Sequence, residues 1–406
     1  MPAPLATAAD PLLAWRDRFP ILDTSTYLIS NSLGAMPRGA ADGLTRYAEL
    51  WSARGVRAWA EEWWALGDDV ADRVAPLLGA PRGSVSMQPS TTIASAIALS
   101  ALDTTPGRRK VITTDLHFPS ILYLLDRWCR ERGASHEILA RSAGGWGVPL
   151  DRLLDAIDDS TAVVALSHVE FASAWVHDAR ALARRCRETG AFLLLDVFQS
   201  AGVLPLALRD WGVDAAVGGC LKWLCGGPGN CFLYVDPDRG ATLEPAITGW
   251  VAHTAPFSFE PPPIRWRAGA GRFTNGTPQV PALYAARAGL DILAEIGIQR
   301  VREKSLRMTE RLFAEASRRG YACSCAEDPE RRGGTVAVDV PEGERVAREL
   351  LRRDVVVDYR PGFGIRIAPH FYNTWEECER CLDTIDAIRA DRSYERHASV
   401  EGASPT

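Results

Sequence analysis

No apolar run in this chain approaches the roughly 18 residues of a membrane-spanning helix, so a helical membrane protein is not expected. A basic stripe is also missing. The 46 Lys and Arg face 51 Asp and Glu, for a formal charge of −5. Acids and bases are spread along the chain, so neither nucleic acid nor a membrane surface is an expected partner. The opening, MPAPLATAADPLLAWRDRFP, lacks a basic segment followed by an apolar core, which argues against a signal peptide and for a cytoplasmic protein. Nine cysteines are present, an odd number, and no four-ligand zinc spacing appears among them. Cys323 and Cys325 form a C-x-C and Cys378 and Cys381 a C-x2-C, the second pair within a helical pattern. Reduced, half-buried thiols and no metal are the expectation. Internal repeats and low-complexity linkers are absent too. What remains is a globular chain of 406 residues, 47% hydrophobic, with enough apolar material for more than one domain.

The middle of the chain alternates short apolar runs with helical patterns. RRKVITTD, TAVVALSHV, AFLLLDV, VDAAVGG and CFLYVD read as strands. FPSILYLLDRWCRERG and DARALARRCRETG read as helices ending at Gly133 and Gly190. Near-continuous apolar strands between helices predict an α/β fold with a mostly parallel sheet covered on both faces and right-handed crossovers. From about residue 282 the pattern changes to a long helical stretch broken near Gly297. The strands GTVAVDV, VVVDY and FGIRIAP and a final helix follow, which describes a smaller C-terminal α/β domain. The tail ERHASVEGASPT is expected to be disordered.

One lysine stands out. In GGCLKWLCGGPGN, Lys222 has no acidic neighbour and sits among glycines, cysteines and a tryptophan. A lysine that is costly to keep charged becomes a nucleophile. Asp196, in LLLDVFQ, closes a buried strand, where ligands of open α/β sheets bind, although a lone Asp is often only a cap. Ser90, Thr91 and Thr92 precede a helix in QPSTTIASAIALSAL, which is either ordinary capping or a phosphate cradle. Phe118, in DLHFPSILYLL, follows a strand and is either a core residue or a flat surface for a ring. Arg366, in GFGIRIAPHFYNTWEE, belongs either to a structural ion pair or to a carboxylate ligand. Hydroxyls, aromatic, aspartate, lysine and arginine together are the parts that hold pyridoxal phosphate and an amino acid.

In this order the motifs resemble the fold-type I pyridoxal-phosphate enzymes of the class V aminotransferase superfamily, and within it the kynureninases. The resemblance runs over nearly the whole chain. It is carried by YLISNSLGAMPRG, HFPS, SHVEFASAWVHDARAL, DVFQSAGVLPLALRDWGVDAAVGGCLKWLCGGPG, ITGWVAH, RFTNGTP and VDYRPGFGIRIAPHFYNTWEE. It implies a PLP-dependent transferase-like fold with a seven-stranded type of sheet. Residues 1–45 would be an N-terminal arm belonging to the small domain, 46–285 the large cofactor domain, 286–392 the small domain and 393–406 the tail. Thr91 and Thr92 would bind the phosphate, Phe118 would stack on the ring, and Ser167 and Gln199 would be polar contacts. Asp196 would partner the ring nitrogen and Lys222 would bond the cofactor covalently. Trp250 and Asn275 would reach a neighbouring subunit's cofactor or substrate, which implies a homodimer with shared active sites. Arg366 would bind the substrate carboxylate, with Asn31 and Ser32 at the entrance.

Certain positions depart from the kynureninase pattern. Leu221 stands where those enzymes have a tyrosine, Gln199 where they have a histidine, and no histidine precedes His117. The expected activity is therefore hydrolytic Cβ–Cγ cleavage, or a variant of it, on an amino acid other than kynurenine. Transamination, β-elimination, epimerisation or oxidation by the same machinery are the alternatives. Cysteine desulfuration is less expected, since DVVVDYRPGFG lacks the cysteine that those relatives carry there. A non-enzymatic paralogue is expected to lose Lys222 or Asp196, and both are present.

Overall fold

In the computed structural model, which describes residues 10–397, the apolar runs of the middle of the chain become one sheet. The strands in chain order are β1 (Thr26–Tyr27), β2 (Val85–Gln88), β3 (Lys110–Thr114), β4 (Ser135–Leu139), β5 (Thr161–Ser167), β6 (Phe192–Asp196), β7 (Ala215–Gly219) and β8 (Cys231–Val235). Seven of them form the large sheet, in the order β2-β8-β7-β6-β5-β3-β4. Only β8 runs against its neighbours. Every residue of β5, β6, β7 and β8 is buried, as strands covered on both faces require. The sequence gives little sign of β2 and β4. β2 has only four residues, two of them polar. β4 is an edge strand with exposed positions, so it needs no apolar run.

The two helices expected to stop at glycine do so: Pro119–Arg132 and Ala179–Thr189 are capped by Gly133 at φ 60 and Gly190 at φ 75. The long stretch after residue 280 is two helices, Val280–Ile296 and Ile298–Arg318, parted at Gly297. Leu283, Leu290 and Leu293 of the first join the large-sheet core. Met308, Leu312 and Ala316 of the second join a separate core. That core lies against β9 (Ala322–Cys323), β10 (Val336–Asp339), β12 (Asp358–Arg360) and β13 (Gly364–Ile367), an antiparallel sheet in the order β12-β13-β10-β9.

VVVDY, expected as one strand, is split. β11 (Val355–Val356) pairs in parallel with β1 of the N-terminal arm, and β12 pairs with β13. The arm thus joins the small unit by backbone hydrogen bonds, while its Leu12, Phe19 and Tyr27 pack into the large core. The expected tail starts with an ordered turn, Ser393–Arg396. Arg353 donates to Ser393 Oγ at 2.7 Å, and His397 Nε2 lies 3.0 Å from Glu349. The rest of that tail, 398–406, lies outside the described residues. Among the described residues no helix is long and apolar enough to cross a membrane.

β2, β3, β5, β6 and β7 point the same way, so their C-terminal ends share one edge. Strand order reverses between β3 and β5, and a crevice opens at such a switch point.

Candidate active site

Lys222 follows β7 in a turn fixed from several sides. Cys220 N–H donates to Asn230 O, and Gly226 N–H to Cys220 O, both at 2.7 Å. The buried Trp223 donates its indole N–H to Gln199 Oε1 at 3.1 Å, and His370 Nε2 reaches the Trp223 carbonyl at 2.8 Å. Gly34, the glycine of NSLG, donates its N–H to Leu221 O at 2.8 Å. A Cβ on Gly34 would lie 2.1 Å from Lys222 O, so only glycine allows this approach. The lysine backbone is clamped and its side chain reaches into the cleft. Its Nζ lies 4.3 Å from the Phe198 ring centroid and 5.9 Å from that of Phe118. Burial, and next the Arg366 cation, bring the amine down to about 8, against an opposing pull from Asp196. Loss of hydration and a like charge both disfavour the ammonium form.

The cleft, about 620 Å³ with its open mouth, brings together Thr91, Phe118, Ser167, Asp196, Gln199 and Lys222. Asp196 ends β6 and Ser167 ends β5, opposite each other in register. Asp196 Oδ1 accepts the Phe198 N–H at 2.8 Å. Its Oδ2 lies 3.7 Å from His117 Nε2. Gln199 lines the cleft, but its amide is spent on fastening the frame: Oε1 takes the Trp223 indole and Nε2 donates to Asn31 O at 2.9 Å. Val169, Phe171, Phe198 and Leu221 complete the wall. These apolar residues were not foreseen as lining. Only the F of DVFQ, two residues past Asp196, gave a usable hint.

The helix Thr91–Ser100 starts at this cleft. Ser90 is its cap, with Oγ accepting from Ile93 N–H at 3.2 Å. Thr91 and Thr92 are the first helical residues, half-buried, and Thr91 N–H points at Cys231 Sγ. Of the three hydroxyl residues, Ser90 is thus the cap, and the two threonines open the helix at its positive end.

Arg366 is almost wholly buried on β13 and forms the structural ion pair that was one of its two readings. Its Nε donates to Asp358 Oδ1 at 2.7 Å, its Nη2 to Asp358 Oδ2, and its Nη1 to the Phe171 carbonyl. Arg360 also reaches Asp358, at 3.0 Å. Two guanidinium groups share one carboxylate, which leaves net positive charge beside Lys222. Asn31 is buried, and both of its side-chain polar atoms are without partners among the described residues. Ser32 beside it is half-buried.

The class-V aminotransferase family model matches residues 26–362. The chain belongs to the class-V aminotransferase family. It is similar to the kynureninase of Burkholderia pseudomallei, 31% identical over 403 residues and 93% of each chain. It is also similar to the kynureninase of Pseudomonas fluorescens, 32% identical over 87% of this chain and 86% of that one. Among solved structures, a cysteine desulfurase from Thermococcus onnurineus superposes with a TM-score of 0.81 at 19% identity, over 95% of this chain and 100% of that one. The cystine C-S lyase C-DES, solved with cysteine persulfide, does so with a TM-score of 0.81 at 21% identity, over 91% and 99%. These two likenesses show the fold, which is the fold-type I architecture expected from the motifs.

For this class-V aminotransferase family member the donor set fits the expected pyridoxal phosphate. The fit rests on an enclosed amine of lowered proton affinity, a strand-end carboxylate with one oxygen uncommitted to the backbone, and a helix start bearing two threonines. Trp250 and Asn275 are not part of the Lys222 cleft of this chain. Trp250 is 41% exposed and packs on Trp64 and Phe257, with ring centroids 5.3 and 5.7 Å away. Asn275 lines a separate hollow with Trp64, Gln88 and Thr277. The resemblance to kynureninases led to the expectation that both belong to a neighbouring subunit's site.

Proposed function

We propose that this class V pyridoxal-phosphate enzyme acts on an amino-acid substrate, by hydrolytic Cβ–Cγ cleavage or a variant of it, and that kynurenine is not its substrate. The observation that carries the reading is Lys222: an enclosed amine, brought down to about 8, in the same cleft as Asp196. Pyridoxal phosphate supplies an electron-poor ring that accepts charge from the substrate α-carbon. Lys222 would hold the cofactor through its amine and would serve as the base for the substrate's α-proton. Asp196 keeps a proton on the ring nitrogen. Thr91, Thr92 and the helix N-terminus bind the phosphate, Phe118 lies along the ring, and Ser167 is a polar contact. Arg366, with Arg360 in excess over Asp358, attracts the substrate carboxylate, and Asn31 and Ser32 border the entrance. Trp250 and Asn275 complete the site of a second copy in a homodimer.

One observation favours a second reading. Among the described residues that line the cleft, Asp196 and Lys222 are the only ionisable side chains, and Leu221 offers no phenol. Outcomes that need a single base, such as transamination, β-elimination or epimerisation, suit that wall as well as C–C hydrolysis does. The test is reconstitution with pyridoxal phosphate followed by a screen of amino acids, with products identified by mass. Absorbance near the visible edge should appear and should vanish in Lys222→Ala. Kynurenine and 3-hydroxykynurenine should yield little anthranilate; brisk turnover would refute the substrate reading. A protein that stays colourless with the cofactor would refute the cofactor reading.

A further inference from the structure

We propose that His117 is a positioning residue that holds the Asp196 carboxylate turned toward the cofactor's ring nitrogen. The proposal rests on the reading above, that the cleft holds pyridoxal phosphate through Lys222 and Asp196.

His117 follows β3 and is 2% exposed. Its Nδ1 lies 3.2 Å from Thr113 Oγ1. Its Nε2 lies 3.7 Å from Asp196 Oδ2 and has no hydrogen-bond partner among the described residues. Two other buried histidines close their Nε2 bonds, His177 on Glu170 Oε1 at 2.9 Å and His370 on the Trp223 carbonyl at 2.8 Å, whereas His253, outside the cleft, leaves its Nε2 open 3.6 Å from Glu260. His117 instead aims its open nitrogen at a carboxylate in the cleft.

The Thr113 hydroxyl can donate to Nδ1 or accept from it, so the facing Asp196 carboxylate decides which nitrogen holds the proton. If Thr113 donates to Nδ1, the neutral ring carries its N–H on Nε2, facing Asp196. The reverse tautomer would set a lone pair against a carboxylate and leave a buried acceptor unmet. The separation is longer than a hydrogen bond by about 0.7 Å, a gap that a small rotation of either side chain closes. Oδ1 is already tied to the Phe198 N–H. With that gap closed, the carboxylate would be held at both oxygens, leaving its remaining lone pairs for the ring nitrogen. Thr113, His117 and Asp196 thus form a line from the body of the sheet to the cofactor.

The test uses holoenzyme loaded with pyridoxal phosphate carrying nitrogen-15 at the ring position. Two quantities are read: the ring-nitrogen resonance and the rate of cofactor loss after dilution. Wild type should give a protonated ring nitrogen. His117→Leu should move the resonance toward the unprotonated position and release the cofactor at least fivefold faster. His117→Gln, which places an N–H donor near the same point, should restore both to within twofold. If the leucine variant does not melt cooperatively, His117→Asn, too short to reach Asp196, takes its place with the same expectation. A loss variant with the wild-type resonance and release rate overturns the proposal, as do Leu and Gln variants equally impaired, which would mean packing alone. Wild type that takes up no cofactor overturns the underlying reading as well, so the two failures are distinct.

Discussion

In the cofactor-free folded chain the Lys222 amine loses its proton near pH 8, whereas an unfolded lysine keeps it to about 10.5. Between those values the unfolded chain binds a proton that the folded chain does not, so folding stability rises with pH across this window. Below pH 8 both states are protonated and the folded state carries an enclosed cation at its full cost. The gap of about 2.5 units corresponds to about 3 kcal/mol. Lys222→Met removes the titration and keeps an unbranched side chain. Any packing change it brings does not depend on pH, so it cancels when two pH values are compared. The wild-type melting temperature, measured relative to that of the variant, should therefore rise from pH 7 to pH 10. With about 2.1 cal/mol/K of unfolding entropy per residue, about 3 kcal/mol across 406 residues amounts to roughly 3 °C. The assay is thermal unfolding of both cofactor-free proteins at the two pH values. A gap constant to within about 1 °C would show that the amine is not short of its proton, and the reasoning from enclosure and from Arg366 would fail.

Gly34→Ala forces a Cβ to within 2.1 Å of the Lys222 carbonyl. Overpacking of this kind costs about 1–3 kcal/mol, visible as a lower melting temperature; a neutral result would refute the tight approach. Asp358→Asn leaves Arg366 buried without its carboxylate, and breaking such a pair costs about 3–5 kcal/mol. The urea midpoint should fall accordingly. Asp358 also raises the Lys222 proton affinity, so the same variant should move the stability window of the amine to lower pH; a move to higher pH would refute the electrostatic account.

Much of the frame was legible because its causes are local. β5 and β6 read as strands because every residue is buried on one face or the other. The helix ends at Gly133 and Gly190 read correctly because a left-handed φ favours glycine. β4 escaped notice because an edge strand has no covered outer side, and the division of VVVDY followed from which partner each half met, β1 or β13. At the site, Lys222 and Asp196 were visible as residues out of keeping with their surroundings. Gln199 was visible as a position, but its engagement with Trp223 and Asn31 was not.

By itself the sequence determined the family and most of the order of the elements, and it singled out Lys222. Each of these depends on residue type and spacing along one segment. Tertiary structure alone decided that Arg366 meets Asp358, that Gly34 lies on the Lys222 carbonyl, and that His117 faces Asp196. Those meetings join segments far apart in the chain, or on separate strands. The order of strands in the sheet sets them, and with them the burial and the field that lower the proton affinity of the lysine.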